Sequence, residues 1–147
     1  YKAVNAYVKT MLCLFDGVST DKIRNRIEND FGYDMNRNVD QIRLNNNKFY
    51  YSCEKTVPEA IICALEATDF EDAIRNAVSL GGDSDTLACM SGALAEARFG
   101  IPEQIAEKAI TYLDNNVKLM LKKMYDVAPK SKDFLKIRLN LKDNCNG

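Results

Sequence analysis

The chain has 147 residues, a length that fits one domain or part of a larger one. With 20 basic and 21 acidic residues the net charge is −1 and no basic stripe stands out, so nucleic acid is not expected as a partner. No apolar run approaches the roughly 18 residues of a membrane helix, and no secretory signal pattern opens the chain. We therefore expect a cytoplasmic protein with no membrane partner.

Histidine is absent, which excludes imidazole bases and histidine metal ligands. The number of cysteines is five and no pair has CxxC spacing, so neither a disulfide framework nor a zinc site is predicted. Cys13, Cys63 and Cys89 lie in apolar helical stretches, where a thiol usually packs as a small buried hydrophobe. We expect these thiols to be buried and reduced.

In chain order, the first predicted helix follows an apolar stripe over residues 3 to 15 and stops at Gly17. No capping residue precedes its stripe and the chain does not open with methionine, so we expect the chain to begin inside an element of a longer protein. A second helix is predicted from the capping pair Ser19 and Thr20 to Gly32.

Residues 33 to 55 are polar and rich in asparagine and have no clear periodicity, which predicts a long loop. Aromatic side chains in this stretch could stack on an adenine, although ordinary packing is their commoner use. They are Tyr33, Phe49, Tyr50 and Tyr51. The next helix is predicted to begin with Thr56 as its cap and Pro58 in its first turn.

Asp69 is predicted to cap an amphipathic helix over residues 70 to 78, which Gly81 and Gly82 end. The following helix, up to residue 99, carries small or apolar residues on nearly every side, so we expect it to be central and closely packed. A last helix runs through residues 105 to 113, and its continuation to Met124 is left open. Residues 126 to 147 are unassigned, and no β-strand is predicted.

The chemically informative stretch is GGDSDT at residues 81 to 86. Two carboxylates and a hydroxyl within four residues supply hard oxygen ligands, which suit Mg²⁺, Ca²⁺ or Mn²⁺. A helix N-terminus also attracts phosphate, and glycines allow a ligand to approach the backbone. The plainer alternative is that Asp83 or Ser84 is a helix cap and Asp85 a first-turn acid that complements the helix dipole.

Two familiar Asp-rich motifs do not fit. An EF-hand loop needs a third oxygen ligand where Leu87 stands and a glycine where Ala88 stands. A phosphatase of the haloacid-dehalogenase type has its DxDx[TV] motif at the end of a buried strand. Here a helix is predicted before the motif, and Thr86 comes one position too early.

The neighbouring sequence contains an ordered set of further segments: VPEAII at 57 to 62, TDFEDAIRNAV at 68 to 78, GGDSDT at 81 to 86 and GIP at 100 to 102. This set resembles the C-terminal part of the ADP-ribosylglycohydrolase family, clearly over residues 52 to 114 and more faintly over residues 1 to 51. The resemblance implies an all-α fold, an orthogonal multi-helix bundle. Residues 1 to 147 would be the C-terminal part of its single domain, and the fold would be incomplete.

For the site, the resemblance implies a two-metal centre, usually of Mg²⁺ with Mn²⁺ as the alternative. Asp83, Asp85 and Thr86 carry over as metal ligands, and Gly81, Gly82 and Ser84 as the ADP-ribose side of the loop. In that family the other ligands come from an N-terminal Thr-Asp-Asp segment and a glutamate, and a His-Pro motif precedes the first helix seen here. None of these is present in this chain, so no catalytic residue is assigned.

The implied activity is hydrolysis of the glycosidic bond between ADP-ribose and a protein side chain, which makes ADP-ribose or an ADP-ribosylated protein the partner. We expect the chain alone to be inactive, and to pair with the missing N-terminal half of the fold or to self-associate. Two alternatives remain: an inactive module that binds ADP-ribose or metal, and a purely structural helical domain.

Overall fold

A computed structural model describes residues 1 to 45 and 52 to 127. These residues form eight helices and no strand, which confirms the predicted all-α fold. The helices are α1 (Lys2–Phe15), α2 (Thr20–Phe31), α3 (Val39–Asn45), α4 (Cys53–Glu66), α5 (Phe70–Ser79), α6 (Ser84–Phe99), α7 (Glu103–Thr111) and α8 (Asn115–Val127). No helix among the described residues is long and apolar enough to cross a membrane.

The chain divides into two compact units, Tyr1–Phe99 and Gly100–Gly147. The first unit contains α1 to α6 and a hydrophobic core to which α1, α2, α4, α5 and α6 all contribute. The second unit contains α7 and α8 among its described residues. The GGDSDT segment therefore belongs to the first unit, between α5 and α6.

Helix α6 is central in the first unit, as its composition predicts, and packs against α1, α4 and α5. Ser91, Leu94 and Ala95 are completely buried. The contact with α5 is close because Gly92 has no side chain: a Cβ at this position would lie 2.8 Å from the Ile74 Cδ1 atom. The small residues of α6 thus hold α5 against it, and the two helices meet at the GGDSDT loop.

Arg98 joins the far end of α6 to the end of α4. Its guanidinium donates hydrogen bonds of 3.0, 2.9 and 2.8 Å to the carbonyls of Ala64, Leu65 and Ala67. Carbonyls at a helix C-terminus have no partner within the helix, so one side chain satisfies much of this end.

Several predicted helix ends are confirmed. After α1, Gly17 has φ 70°, and the Val18 N–H donates to the Cys13 carbonyl, which is the pattern of a Schellman end. Gly32 ends α2 in the left-handed region. Asp69 caps α5, and its carboxylate accepts a 2.8 Å hydrogen bond from the Asp72 N–H.

Between residues 33 and 55 the prediction of a loop without a helix was wrong, because α3 occupies residues 39 to 45. Its start was readable from the sequence: the Asn38 side chain accepts from the Gln41 N–H at 2.8 Å, and the Gln41 side chain accepts from the Asn38 N–H at 3.0 Å. This reciprocal pair is a capping box.

The predicted start of the next helix at Thr56 was also wrong. Helix α4 begins at Cys53, and the Thr56 N–H already donates to the Ser52 carbonyl at 3.0 Å. Thr56 is therefore a buried residue of the helix and not its cap, and Pro58 lies inside the helix.

Burial differs from expectation at two further places. Cys13 and Cys63 are buried as predicted, but Cys89 is exposed. In α1 the buried residues are Ala3, Ala6, Thr10, Cys13 and Leu14. Four of the seven residues of the predicted stripe are exposed: Val4, Val8, Leu12 and Phe15. We call these four residues the outer face of α1.

In the second unit, the open question of a helix continuing to Met124 is answered by Asp114. Its carboxylate accepts hydrogen bonds from the N–H groups of Asn116 and Val117 at 2.8 and 3.0 Å, so it caps a new helix. The chain therefore forms α7 and α8 as separate helices. Residues 128 to 147, which include most of the unassigned tail, lie outside the described residues.

Candidate metal and ADP-ribose loop

The loop between α5 and α6 is built on two glycines and anchored on both sides by leucines. Gly81 and Gly82 have φ values of 73° and 65°. Residues with a side chain rarely adopt this left-handed backbone conformation. Leu80 before them and Leu87 after them are both buried in the core. The loop is thus held at both ends while its glycines turn the chain from one helix into the next.

The predicted metal ligands lie at the N-terminus of α6. The Asp83 carbonyl accepts the first helical hydrogen bond, from the Leu87 N–H at 3.0 Å, so Asp83 begins the helix as predicted. Asp85 and Thr86 in the first turn are exposed, and Asp83 is partly exposed. These three oxygen-bearing side chains are therefore within four residues of one another and accessible to solvent.

The pKa of Asp85 lies below its usual value. The largest cause is a hydrogen bond with the Asp83 side chain, followed by hydrogen bonds from the backbone N–H groups of Thr86 and Asp85 itself. The bond with Asp83 requires a proton on one of the two carboxyls, whereas the backbone N–H groups favour the ionised form of Asp85 at any pH, and an exposed aspartate is ionised near neutral pH. Asp85 is therefore a charged, hard oxygen donor, which is the form that a divalent cation needs.

As a donor set, this loop fits a hard divalent cation only in part. Two carboxylates and a hydroxyl are three oxygen donors, whereas Mg²⁺ prefers six in octahedral geometry. Among the described residues, no group of three or more acidic, cysteine or histidine side chains is close enough to hold a metal ion. A bound ion would need further ligands from water, substrate or another segment.

The residues predicted to face ADP-ribose are Gly81, Gly82 and Ser84. A Cβ at either glycine would meet no atom within 4 Å, so the space beside this backbone is open. Ser84 is partly exposed at the first position of α6. The open backbone and the free N–H groups of the helix N-terminus together form a surface that suits an anion such as phosphate.

Tyr33 does not have a face free for adenine. It is buried, its hydroxyl donates a 3.2 Å hydrogen bond to Glu54, and the Lys2 ammonium lies 4.3 Å from its ring centre. Burial first, and the hydrogen bond to Glu54 second, raise the pKa of Tyr33 to about 12. Ordinary packing is thus its role, while Phe49, Tyr50 and Tyr51 lie outside the described residues.

One polar residue that the sequence analysis did not single out is Glu59. It is the only charged residue between Val57 and Leu65, where its neighbours are buried, and its own side chain is 16% exposed. A lone acid in such a run was the signal that could have drawn attention to it.

Comparison with known proteins decides the family. The sequence profile of the family described as ADP-ribosylglycohydrolase matches residues 3 to 132, which is most of the chain. The chain belongs to the ADP-ribosylglycohydrolase family. The match includes the loop at 81 to 86 and extends on both sides of residues 52 to 114, where the resemblance was clearest.

A curated relative is ADP-ribosylhydrolase ARH3 from Danio rerio. It is 40% identical over a stretch that covers 32% of this chain and 16% of the relative. The match thus spans only a small part of that relative's length. No solved structure gives a significant match.

Proposed function

We propose that this chain is part of a metal-dependent hydrolase that cleaves the glycosidic bond between ADP-ribose and a protein side chain. The observation that carries the proposal is membership of the ADP-ribosylglycohydrolase family over residues 3 to 132. The loop at 81 to 86 supports it, because exposed carboxylates and an open helix N-terminus lie side by side there.

In this proposal Asp83, Asp85 and Thr86 hold Mg²⁺ or Mn²⁺ as half of a two-metal site. A bound divalent ion supplies positive charge that polarises the bond to be cleaved or makes water a better nucleophile. The protein's own part is to present two exposed carboxylates, and the backbone N–H groups of Thr86 and Asp85 favour the ionised form of Asp85. The α5–α6 packing then keeps these donors at one place on the surface.

Gly81, Gly82 and Ser84 form the side of the same loop that binds ADP-ribose. The open space beside the two glycines lets a phosphate reach the backbone, and the positive end of α6 favours its negative charge. The Ser84 hydroxyl adds a hydrogen-bonding group at the same helix end.

This chain alone lacks hydrolytic activity in our proposal. Two carboxylates and a hydroxyl are too few to hold two ions, and no group of three or more acidic, cysteine or histidine side chains that could hold a metal ion occurs in the described residues. The remaining ligands would come from a further segment of the same fold. The part of the Danio rerio relative that aligns with this chain is 16% of its length, which leaves room for such a segment.

Metal binding tests the assignment of the ligands. We expect Mn²⁺ to bind the isolated chain weakly, with a dissociation constant on the order of a millimolar, as at weak calcium sites. Asp85→Asn should weaken binding about tenfold, because it removes one of two charged ligands. Electron paramagnetic resonance measures free Mn²⁺ directly.

The matched control is Asp21→Asn, because Asp21 is also an exposed acid in the first turn of a helix. Equal binding by both variants would show that Asp85 is not a ligand. Tight binding by the unaltered chain, or a preference for Zn²⁺, would show that the ligand set is wrong. No binding of either Mn²⁺ or ADP-ribose would favour a purely structural role for the loop.

Activity tests the second part. We expect no release of ADP-ribose from an ADP-ribosylated peptide when the isolated chain is incubated with Mg²⁺, measured by chromatography of the products. ADP-ribosylarginine and ADP-ribosylserine peptides should both remain intact. Metal-dependent release from either peptide would mean that this chain already contains a complete active site.

A further inference from the structure

A pocket of about 290 Å³ lies between α3, the loop before it and the first turns of α4. Its size is close to the lower end for small-molecule sites, about 300 Å³. Tyr33, Ile42 and Pro58 form apolar parts of the wall, and Arg37 and Glu59 are among its charged residues. We call it the α3–α4 pocket. It shares no residue with the GGDSDT loop.

We propose that the α3–α4 pocket binds a small organic cation, and that the carboxylate of Glu59 pairs with the ligand's guanidinium or ammonium group. The first observation is the position of Glu59. Its side chain is 16% exposed, and the residues beside it in α4, Pro58 and Ala60, are buried. A carboxylate in such a place loses much of its hydration and needs donors in return.

The residues that the structure describes supply these donors incompletely. The Nη1 atom of Arg37 lies 3.9 Å from the Glu59 Oε1 atom, which is longer than a hydrogen bond. Burial raises the pKa of Glu59 even though the positive charges of Arg37 and Lys55 act in the opposite direction. A bound cation that donates hydrogen bonds would stabilise the carboxylate further.

An anion is the less favoured occupant, because the guanidinium that would hold it is already shared. Arg37 Nε donates a 3.3 Å hydrogen bond to the Asp34 carbonyl and lies 3.7 Å from the Asp34 carboxylate, and the other side of the group faces Glu59. An anion at Arg37 would be repelled by both carboxylates.

The other two acids of the wall are Asp34 and Glu54, and both are already engaged. Asp34 pairs with Arg37 and accepts a 3.1 Å hydrogen bond from the Asn36 N–H. Glu54 has two partners. It accepts a hydrogen bond from the Tyr33 hydroxyl at 3.2 Å and lies 3.5 Å from the Lys2 ammonium. A metal ion is disfavoured, since the described residues contain no cluster of three acidic, cysteine or histidine ligands. Glu59 is thus the acid of the pocket that a cationic ligand can best satisfy, and the apolar part of the wall, Tyr33, Ile42 and Pro58, can contact a short hydrocarbon chain.

The test compares butylguanidinium with butylurea, which has the same shape and no charge, on the full chain at constant ionic strength. We expect butylguanidinium to bind at least about tenfold more tightly than butylurea, the gain typical of a charged hydrogen bond. Pentylammonium in a parallel titration decides whether guanidinium or ammonium is preferred. Chemical-shift titration by NMR measures all three and locates the site.

Two variants give opposite expected results. Glu59→Gln keeps the shape but removes the charge, so the preference for butylguanidinium should fall about tenfold. Arg37→Gln removes the competing cation, so butylguanidinium should bind more tightly, which a loss of folding could not produce. The matched control is Glu103→Gln, since Glu103 is exposed at the start of α7 and should leave binding unchanged.

Equal binding of butylguanidinium and butylurea would overturn the proposal, as would an unchanged preference in Glu59→Gln. Butyrate binding more tightly than butylguanidinium would show instead that Arg37 makes this an anion site. None of these outcomes depends on metal binding or hydrolysis, so the pocket and the proposed function are tested separately.

Discussion

At the residue scale, Asp85 and Glu59 show how the same functional group responds to two environments. Asp85 is exposed and receives hydrogen bonds, which lower its pKa. Glu59 is half-buried, and desolvation raises its pKa despite the nearby cations. The lowered pKa of Asp85 favours the charged carboxylate that a metal ion needs. The raised pKa of Glu59 shows that nearby donors and cations do not fully offset the desolvation of its carboxylate.

The raised pKa of Glu59 predicts a pH dependence of stability. Between the ordinary value of 4.5 and the raised folded value, the folded protein binds the proton more tightly than the unfolded chain. Stability contributed by this group is therefore lost as pH rises through that window. The positive charges of Arg37 and Lys55 limit the rise in the pKa of Glu59 but do not reverse it. The nearby thiol of Cys63 stays neutral, because burial raises its pKa to about 12.

Glu59→Gln should remove this dependence. From about pH 4 towards neutral pH, the melting temperature of the unaltered protein should fall relative to that of the variant. Thermal unfolding followed by circular dichroism across this range measures the difference. A difference that stays constant, or that changes in the opposite direction, would show that Glu59 is well compensated in the folded state.

At the element scale, the pairing of α5 with α6 places the candidate loop. Gly92 and Ile74 meet at the contact, and the Ser91 hydroxyl donates a 3.3 Å hydrogen bond to the Ala73 carbonyl nearby. Both Ser91 and Ala73 are fully buried. The spacing of the two helices therefore depends on small residues in α6, and the GGDSDT loop joins the two helices that this contact holds together.

The contact predicts coupling between Gly92 and Ile74. Gly92→Ala gains helix propensity of about 0.5–1 kcal/mol but forces the Ile74 Cδ1 atom to move, so the two effects should nearly cancel. In an Ile74→Val background that atom is absent, and the same substitution should stabilise the protein by about 0.5–1 kcal/mol. Urea unfolding of all four proteins of the cycle measures the coupling. Additive effects would show that the helices have room to spare.

At the scale of the whole molecule, the outer face of α1 is an apolar surface that is largely exposed. Val4, Val8, Leu12 and Phe15 are 63, 48, 58 and 43% exposed and follow one another along one side of the helix. Contiguous apolar patches of this kind commonly mark interaction sites. The outer face of α1 is therefore the surface through which we expect the chain to self-associate or to pair with another segment.

We predict that the isolated chain binds a hydrophobic dye and self-associates through the outer face of α1. Val4→Lys combined with Leu12→Lys should reduce both effects with little loss of stability, because the two side chains are exposed. Dye fluorescence and light scattering measure them. Val78→Lys is the control, since Val78 on α5 is similarly exposed at 52%. A monodisperse chain that binds no dye would contradict the prediction.

The sequence by itself determined the features that depend on a few neighbouring residues. Gly17 and Gly32 end helices because glycine adopts positive φ at little cost, and Asp69 begins one because its carboxylate caps the free N–H groups. The oxygen donors of residues 81 to 86 were likewise readable, and the family profile includes this segment in its match. Their role as metal ligands remains a proposal.

Only the tertiary structure decided which side of each helix is covered, because burial depends on residues far away in the chain. The apolar stripe of α1 predicted a single buried face, whereas contact with α4 and α6 buries a face that contains Ala6 and Thr10. Cys89 is exposed although its sequence neighbours are apolar. The pocket around Glu59 exists because α3 and the loop before it lie against α4, an arrangement that local patterns do not specify.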